Sequence, residues 1–221
     1  MTLFIRGVQG TKHHEGLAFM KAGDGSYVVG FGPFEEHEKA PLGKTAFYCN
    51  DFTLSESRPW KIPAEVREIA SLDELGFSSE EIEIDWLELE PDGFANVFAE
   101  INEMIIRGVI EKSVPVATER GKLTSGKGDR LIGKLKPLGA PFYSYGWSLG
   151  GIGFCGGTPE LLFQLDGLQL KTMALAGTAK ADEREVFAVD GKEIREHEFV
   201  AQTLVAKLSD IGKVSRADRI I

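Results

Sequence analysis

Four short stretches of this chain carry side chains suited to proton or metal chemistry. They are Lys112 in Glu111-Lys112-Ser113-Val114-Pro115-Val116, Glu160 closing Gly156-Gly157-Thr158-Pro159-Glu160, the run Leu175-Ala176-Gly177-Thr178, and Lys192-Glu193-Ile194-Arg195-Glu196-His197. A lysine acts as a base only when burial or nearby positive charge brings its pKa down from about 10.4. Lys112 follows an apolar stretch that could bury its stem, which makes it a candidate base. Glu160 is a candidate general acid, a role that requires the opposite shift, because an ordinary glutamate is ionised at neutral pH. Gly177 and Thr178 offer backbone N–H groups and a hydroxyl at close range, suited to holding a carboxylate. Glu193 and Glu196, three residues apart on an expected helix, face one ion, and magnesium suits such hard oxygen donors. Each also has an ordinary account: a snorkelling surface lysine, an edge-strand glutamate, a packed turn and a solvated helix face.

The elements that must position these groups are read from periodicity and punctuation. Leu17 to Met20 and Tyr27 to Phe31 flank Gly23-Asp24-Gly25 as a hairpin, and Thr45 to Cys49 is a further strand. Pro59, Pro63 and Gly76 argue against long elements in the region that follows. From Asp92 to Glu111 a helix is expected, with Phe94, Val97, Phe98, Ile101, Ile105 and Val109 on its buried face. Lys112 to Thr118 then takes strand character. Pro141 to Leu149, Gly151 to Cys155, Leu161 to Leu165 and Leu168 to Met173 read as a largely antiparallel sheet, with Asp166-Gly167 turning between the last two. A final helix spans Asp190 to Ser209, its least polar stripe being Ile194, His197, Ala201, Leu204 and Leu208. The expected class is α+β, with a strand-rich segment over residues 1–90 and a catalytic region over 91–221 that is either separate or continuous with it.

Composition narrows the function. The 221 residues carry a formal charge of -9, and the stretch from Asp73 to Asp92 holds nine acidic residues without a lysine or arginine. That face repels a phosphate backbone, so nucleic acid is not an expected partner. It reads as a solvated acidic surface beside a helix start. Cys49 and Cys155 stand too far apart for a metal knuckle and read as a reduced pair. The amino terminus lacks the apolar region of a signal peptide and no apolar run spans a bilayer, so a soluble, cytoplasmic protein is expected.

Three familiar strings fail on context. Gly151-Ile152-Gly153-Phe154-Cys155-Gly156 has dinucleotide-site spacing, but Gly157-Thr158-Pro159 follows where a phosphate-binding helix should start. Gly121 to Gly128 nearly spells a P-loop, yet Gly128 replaces the required hydroxyl, and a flexible loop is expected there. His197-Glu198-Phe199-Val200-Ala201 lacks the second histidine of a zinc helix, and no nucleophile elbow points to a Ser-His-Asp triad.

Taken in order, Lys112, Gly156-Gly157-Thr158-Pro159-Glu160, Leu175-Ala176-Gly177-Thr178 and Lys192 to His197 make the chain resemble the chorismate-utilising enzymes, in their isochorismate synthase branch, over about Pro91 to Ser209. The resemblance implies a partial chorismate-utilising-enzyme fold, an antiparallel sheet with packed helices. It implies Mg2+-dependent conversion of chorismate to isochorismate, feeding menaquinone or catechol-siderophore synthesis. Lys112 matches the base that activates water for attack at C2, and Glu160 the acid that assists departure of the C4 hydroxyl. Gly177 and Thr178 match the substrate-binding segment, Glu196 a magnesium ligand, and Glu193 a second candidate ligand. Relatives that use ammonia resemble one another in carrying glutamine at the place of Lys112, so lysine there favours water. The alternatives are a salicylate synthase-like enzyme and a non-catalytic interaction protein of the same family. Ala117 stands where an arginine is common, the stretch from Thr178 to Lys192 is short, and further substrate and metal segments are expected beyond Arg219. Self-association, or association with a C-terminal segment, is therefore also expected.

Overall fold

The computed structural model describes residues 2–6, 16–77, 81–88, 91–126, 128, 130–135, 142–149, 152–177 and 181–217. The chain forms two compact units, residues 1–140 with 144–157, and residues 141–143 with 158–221.

The first unit is organised by a seven-stranded sheet. Its amino-terminal strands are β1 (Thr2–Arg6), β2 (Gly16–Lys21), β3 (Tyr27–His37), β4 (Phe47–Tyr48) and β5 (Trp60–Ile69). The next segment contributes β6 (Glu83–Trp86), helix α1 (Pro91–Ile106), β7 (Gly121–Ser125) and the short helix α2 (Arg130–Gly133). Strands β8 (Tyr143–Leu149) and β9 (Ile152–Thr158) then return to the sheet, whose order is β1-β9-β8-β2-β3-β5-β4. Strands from both sides of residue 90 thus share one sheet.

The expected hairpin is β2–β3, paired from Leu17 opposite Phe31 to Lys21 opposite Tyr27. Asp24 closes its turn, accepting from the Ser26 N–H at 2.9 Å and the Ser26 hydroxyl at 2.7 Å. Alternation puts Phe19, opposite Val29 and Gly146, on the core face. There Leu17, Phe19, Val29, Phe31 and Cys155 pack with Leu72, Ile132 and Leu135.

Several expectations change on contact with tertiary structure. Strand β5 runs for 10 residues, so a long element does occur in the proline-punctuated region. Pro63 is accommodated because it lies opposite Phe34, where the β3–β5 register shifts between Phe31 and Phe34; a bulge tolerates the missing N–H. The strand expected over Thr45 to Cys49 contracts to the two residues of β4. Helix α1 stops at Ile106 rather than Glu111. Gly108, at φ +69°, ends it: its N–H donates to the Ile105 carbonyl at 3.0 Å while Val109 N–H reaches back to Met104 at 2.9 Å. This is a Schellman closure, which the left-handed conformation makes possible.

The apolar stripe of α1 is present but not covered as expected. Phe94, Val97, Phe98, Ile105 and Val109 are exposed, with only Ile101 half-buried. Periodicity identifies the face of a helix, not whether another element lies on it. Lys112 to Thr118 forms no strand: no ladder reaches it, and Pro115 offers no N–H to one. The first five residues of the near-P-loop, Gly121–Ser125, form β7 rather than a flexible loop, paired with β6 from Trp86 opposite Gly121 to Glu83 opposite Ser125. The dinucleotide-like string runs into strand β9, in keeping with its rejection as a phosphate site. The described acidic side chains between Asp73 and Glu88 are exposed, and Glu74 accepts from the Ala70 and Ser71 N–H groups beside a 3₁₀ turn over Leu72–Leu75.

The second unit holds the two-stranded ladder β10 (Gln164–Asp166) and β11 (Gln169–Lys171), a 3₁₀ turn, and helices α3 (Arg184–Val189) and α4 (Gly191–Ser209). The β10–β11 ladder is separate from the large sheet, and Leu161 to Phe163 fall outside it. Helix α4 matches the expected span. Asp190 caps it, accepting from Lys192 N–H at 2.8 Å and Glu193 N–H at 3.1 Å. Cys49 and Cys155 are both free thiols, and no helix among the described residues is long and apolar enough to cross a membrane.

Candidate functional site

Helix α4 positions the acidic pair. The Asp190 cap fixes the first turn, and three residues further along Glu193 opens the i, i+3 spacing that sets Glu196 one turn on. Both carboxylates reach the same cation: the Lys192 ammonium stands 3.6 Å from Glu193 Oε1 and 3.7 Å from Glu196 Oε1. Glu193 is the more sheltered, its side chain 19% exposed against 34% for Glu196. Two carboxylates one helical turn apart are a donor set of the kind Mg2+ accepts. That ion commonly takes one or two protein carboxylates and keeps its other positions for water and substrate. No group of three or more candidate ligands occurs among the described residues.

Backbone donors shape the charge at the head of the helix. The Glu193 and Lys192 N–H groups hold the Asp190 carboxyl below its usual range. Glu198 is likewise held low by its hydrogen bonds from Arg216, whose Nη1 donates at 2.9 Å to Oε2, and this ties the chain after α4 back to the helix. His197 lies largely within the structure, with Nδ1 buried and lacking a hydrogen-bond partner.

Glu160 follows β9 in a segment without regular structure, rather than opening a strand, and its carboxylate is exposed. Its N–H donates to Thr158 Oγ1 at 3.1 Å. Beyond it, Leu161 N–H reaches Met173 Sδ at 3.4 Å and the Thr172 hydroxyl donates to the Leu162 carbonyl at 2.6 Å. Those two bonds continue the β10–β11 hairpin outward, so Glu160 and Gly177 belong to the two arms at its open end. Gly177 has φ +82°, a conformation open to glycine and costly for other residues. Thr178, its expected partner in holding substrate, lies outside the described residues.

Lys112 belongs to the first unit, on the exposed segment after the Schellman closure of α1. The buried stem expected for a base is not present there. The structure therefore brings together Glu193 with Glu196, and joins the segment after Glu160 to Thr172 and Met173. Sequence reasoning does not single out Lys192, although its i, i+4 spacing to Glu196 is the signal that finds it.

The sequence profile of the family described as chorismate binding enzyme matches residues 34–219. The chain belongs to the chorismate binding enzyme family, and the match takes in the end of β3 with β4 and β5, ahead of the Pro91 to Ser209 stretch that carries the resemblance. No match is found among curated proteins or among solved structures. Membership makes chorismate the expected ligand and chorismate-utilising chemistry the class of activity, carried on a mixed α and β fold with an antiparallel sheet.

Proposed function

We propose that the chain converts chorismate to isochorismate in a Mg2+-dependent reaction. The observation that carries the reading is the convergence of Glu193 and Glu196 on a single cation, in a chain of the chorismate binding enzyme family. Lysine rather than glutamine at position 112 supports water as the nucleophile.

In this reading Lys112 Nζ takes a proton from water as the oxygen bonds to C2. The two ring double bonds shift, and the C4–O bond breaks. Glu160 supplies a proton to the departing hydroxyl, which leaves as water, so the substrate and product have the same composition. Gly177 and Thr178 hold a substrate carboxylate through backbone N–H and hydroxyl groups. Mg2+ bound at Glu196 and Glu193 would neutralise substrate carboxylate charge and fix its orientation. Lys112 needs a drier setting than it has here to serve as the base, so substrate uptake is expected to shelter it.

The test is product analysis by chromatography after incubating the 221-residue chain with chorismate and Mg2+, beside Lys112→Gln. Isochorismate from the unsubstituted chain, reduced at least about a hundredfold in Lys112→Gln with the fold preserved, is the expected result. Salicylate as the product, or an unchanged rate in the variant, overturns the reading.

A further inference from the structure

The first unit contains a cleft of about 540 Å³ that none of Lys112, Glu160, Gly177, Glu193 or Glu196 lines. Its size falls within the range of roughly 300–1,000 Å³ typical of small-molecule sites. Ala18 and Trp147 are cross-strand partners on the sheet face opposite Phe19 and Gly146, and with Phe34 and Phe154 they give the cleft an apolar, aromatic floor. Aromatic faces of this kind attract cations as well as apolar bodies.

Charge sets the rest of its chemistry. Three carboxylates line the cleft, Glu36, Asp51 and Glu56, against one ammonium, Lys61. That ammonium is already engaged, 2.9 Å from Glu36 Oε1 and only 13% exposed as a side chain. The Arg58 guanidinium, 3.2 Å from Glu36 Oε2, is spent on the same carboxylate, which leaves Asp51 and Glu56 in excess. Asp51 is held ionised, its pKa brought down to about 2 by the Ser55 hydroxyl and N–H and by Thr53. The same contacts pin the rim: Thr53 Oγ1 donates to Asp51 at 2.8 Å, Ser55 N–H at 3.0 Å, and Glu56 N–H donates to Asn50 Oδ1 at 3.0 Å. An incoming dianion would meet a net negative, preformed wall, so chorismate is a poor occupant.

We propose that this cleft is a second binding site, one that takes a small organic cation: an ammonium group carried on a planar apolar body. The ring lies on the floor of Trp147, Phe34 and Phe154, and the positive charge faces Glu56 and Asp51 at the rim.

Cys49 lines the cleft and is half-buried, whereas Cys155 is 1% exposed, so alkylation reports on occupancy. Burial raises the Cys49 thiol, so labelling with iodoacetamide is done in mildly alkaline buffer. The probes are benzyltrimethylammonium and, as its anionic counterpart, 3-phenylpropionate, at constant ionic strength. The cation is expected to slow Cys49 alkylation saturably, by at least about fivefold, and the anion to leave it unchanged. Glu56→Gln, on the exposed rim, should raise the half-protecting cation concentration at least about threefold. Saturation-transfer NMR on the same cation reads binding independently of the thiol. Equal protection by both probes, no protection by the cation, cation binding by NMR without Cys49 protection, or an unaltered Glu56→Gln midpoint would each overturn the proposal.

Discussion

Gly146→Ala probes the packing that joins β8 to the core. Gly146 sits directly opposite Phe19, and a Cβ added there would fall 2.6 Å from Phe19 Cε1, 2.7 Å from Cζ and 3.0 Å from Cys155 Cβ. Phe19 is 1% exposed and already leans on Tyr27, with ring centroids 6.3 Å apart, so it has little room to withdraw. Two effects oppose each other. Overpacking a filled core costs about 1–3 kcal/mol. Replacing glycine lowers the entropy of the unfolded chain and returns about 0.4–1 kcal/mol. The clash wins, leaving a net loss on the order of 1–2 kcal/mol.

Urea unfolding followed by far-UV circular dichroism measures it. With a slope of about 2 kcal/mol/M, the midpoint should fall by about 0.5–1 M. Gly23→Ala is the control, since a Cβ there meets nothing within 4 Å, and its midpoint should stay within about 0.25 M of the parent. Phe19→Leu removes the ring atoms that the new methyl strikes. The double variant should therefore be more stable than the sum of the single losses by at least about 0.5 kcal/mol. A Gly146→Ala midpoint at or above the parent, or strictly additive losses, would refute the account of the β2–β8 contact.

Three further outcomes bear on α4 and the proposed chemistry. Glu196→Ala should raise the Mg2+ concentration needed for half-maximal isochorismate formation more than about tenfold, measured by a metal titration of initial rates; an unchanged titration removes Glu196 from the metal site. Asp190→Ala should fray the first turn of the helix and reduce its ellipticity at neutral pH, because the Lys192 and Glu193 N–H groups lose their acceptor. The same cap carries a pH dependence: its folded pKa is lowered, so its contribution is complete above the unfolded value near 3.9 and lost as pH falls through the folded one. The stability difference between parent and Asp190→Ala should therefore be constant from pH 7 to about 5 and shrink in more acidic buffer; growth of the difference on acidification contradicts the capping geometry.

Local signals carried the parts of the fold that the sequence makes legible. The β2–β3 hairpin is written in an aspartate turn between two apolar runs, and α4 in a capping Asp190 followed by a stripe ending at Leu208. Parts that depend on distant partners were not readable in this way. Strand β1 pairs with β9, Thr2 opposite Gly156, and β6 pairs with β7 across the whole of α1. Neither segment announces its partner, and Pro63 looks like a breaker until the bulge opposite it is known. The site divides along the same line. The Glu193–Glu196 spacing is a helix property, visible once the helix is. A strand at Lys112 would have needed a neighbour that the described residues do not supply, and the cleft is assembled from β2, β3, β5, β8, β9 and the loop before β5.

Charge explains why these two places should not share a ligand. Chorismate is a dianion and the chain carries a net charge of -9, so uptake depends on a point where negative protein charge is locally offset. On α4, the Lys192 ammonium stands 3.6 and 3.7 Å from Glu193 and Glu196, one cation beside two carboxylates. In the proposed reaction a divalent ion bound there would add positive charge where a substrate carboxylate approaches. In the cleft of the first unit, Lys61 is tied to Glu36 while Asp51 and Glu56 face the rim, so the same dianion finds no such positive charge. On the proposed reading, a need for magnesium at α4 and a preference for cations in the cleft both follow from how few lysines of this acidic chain are left to meet a dianion.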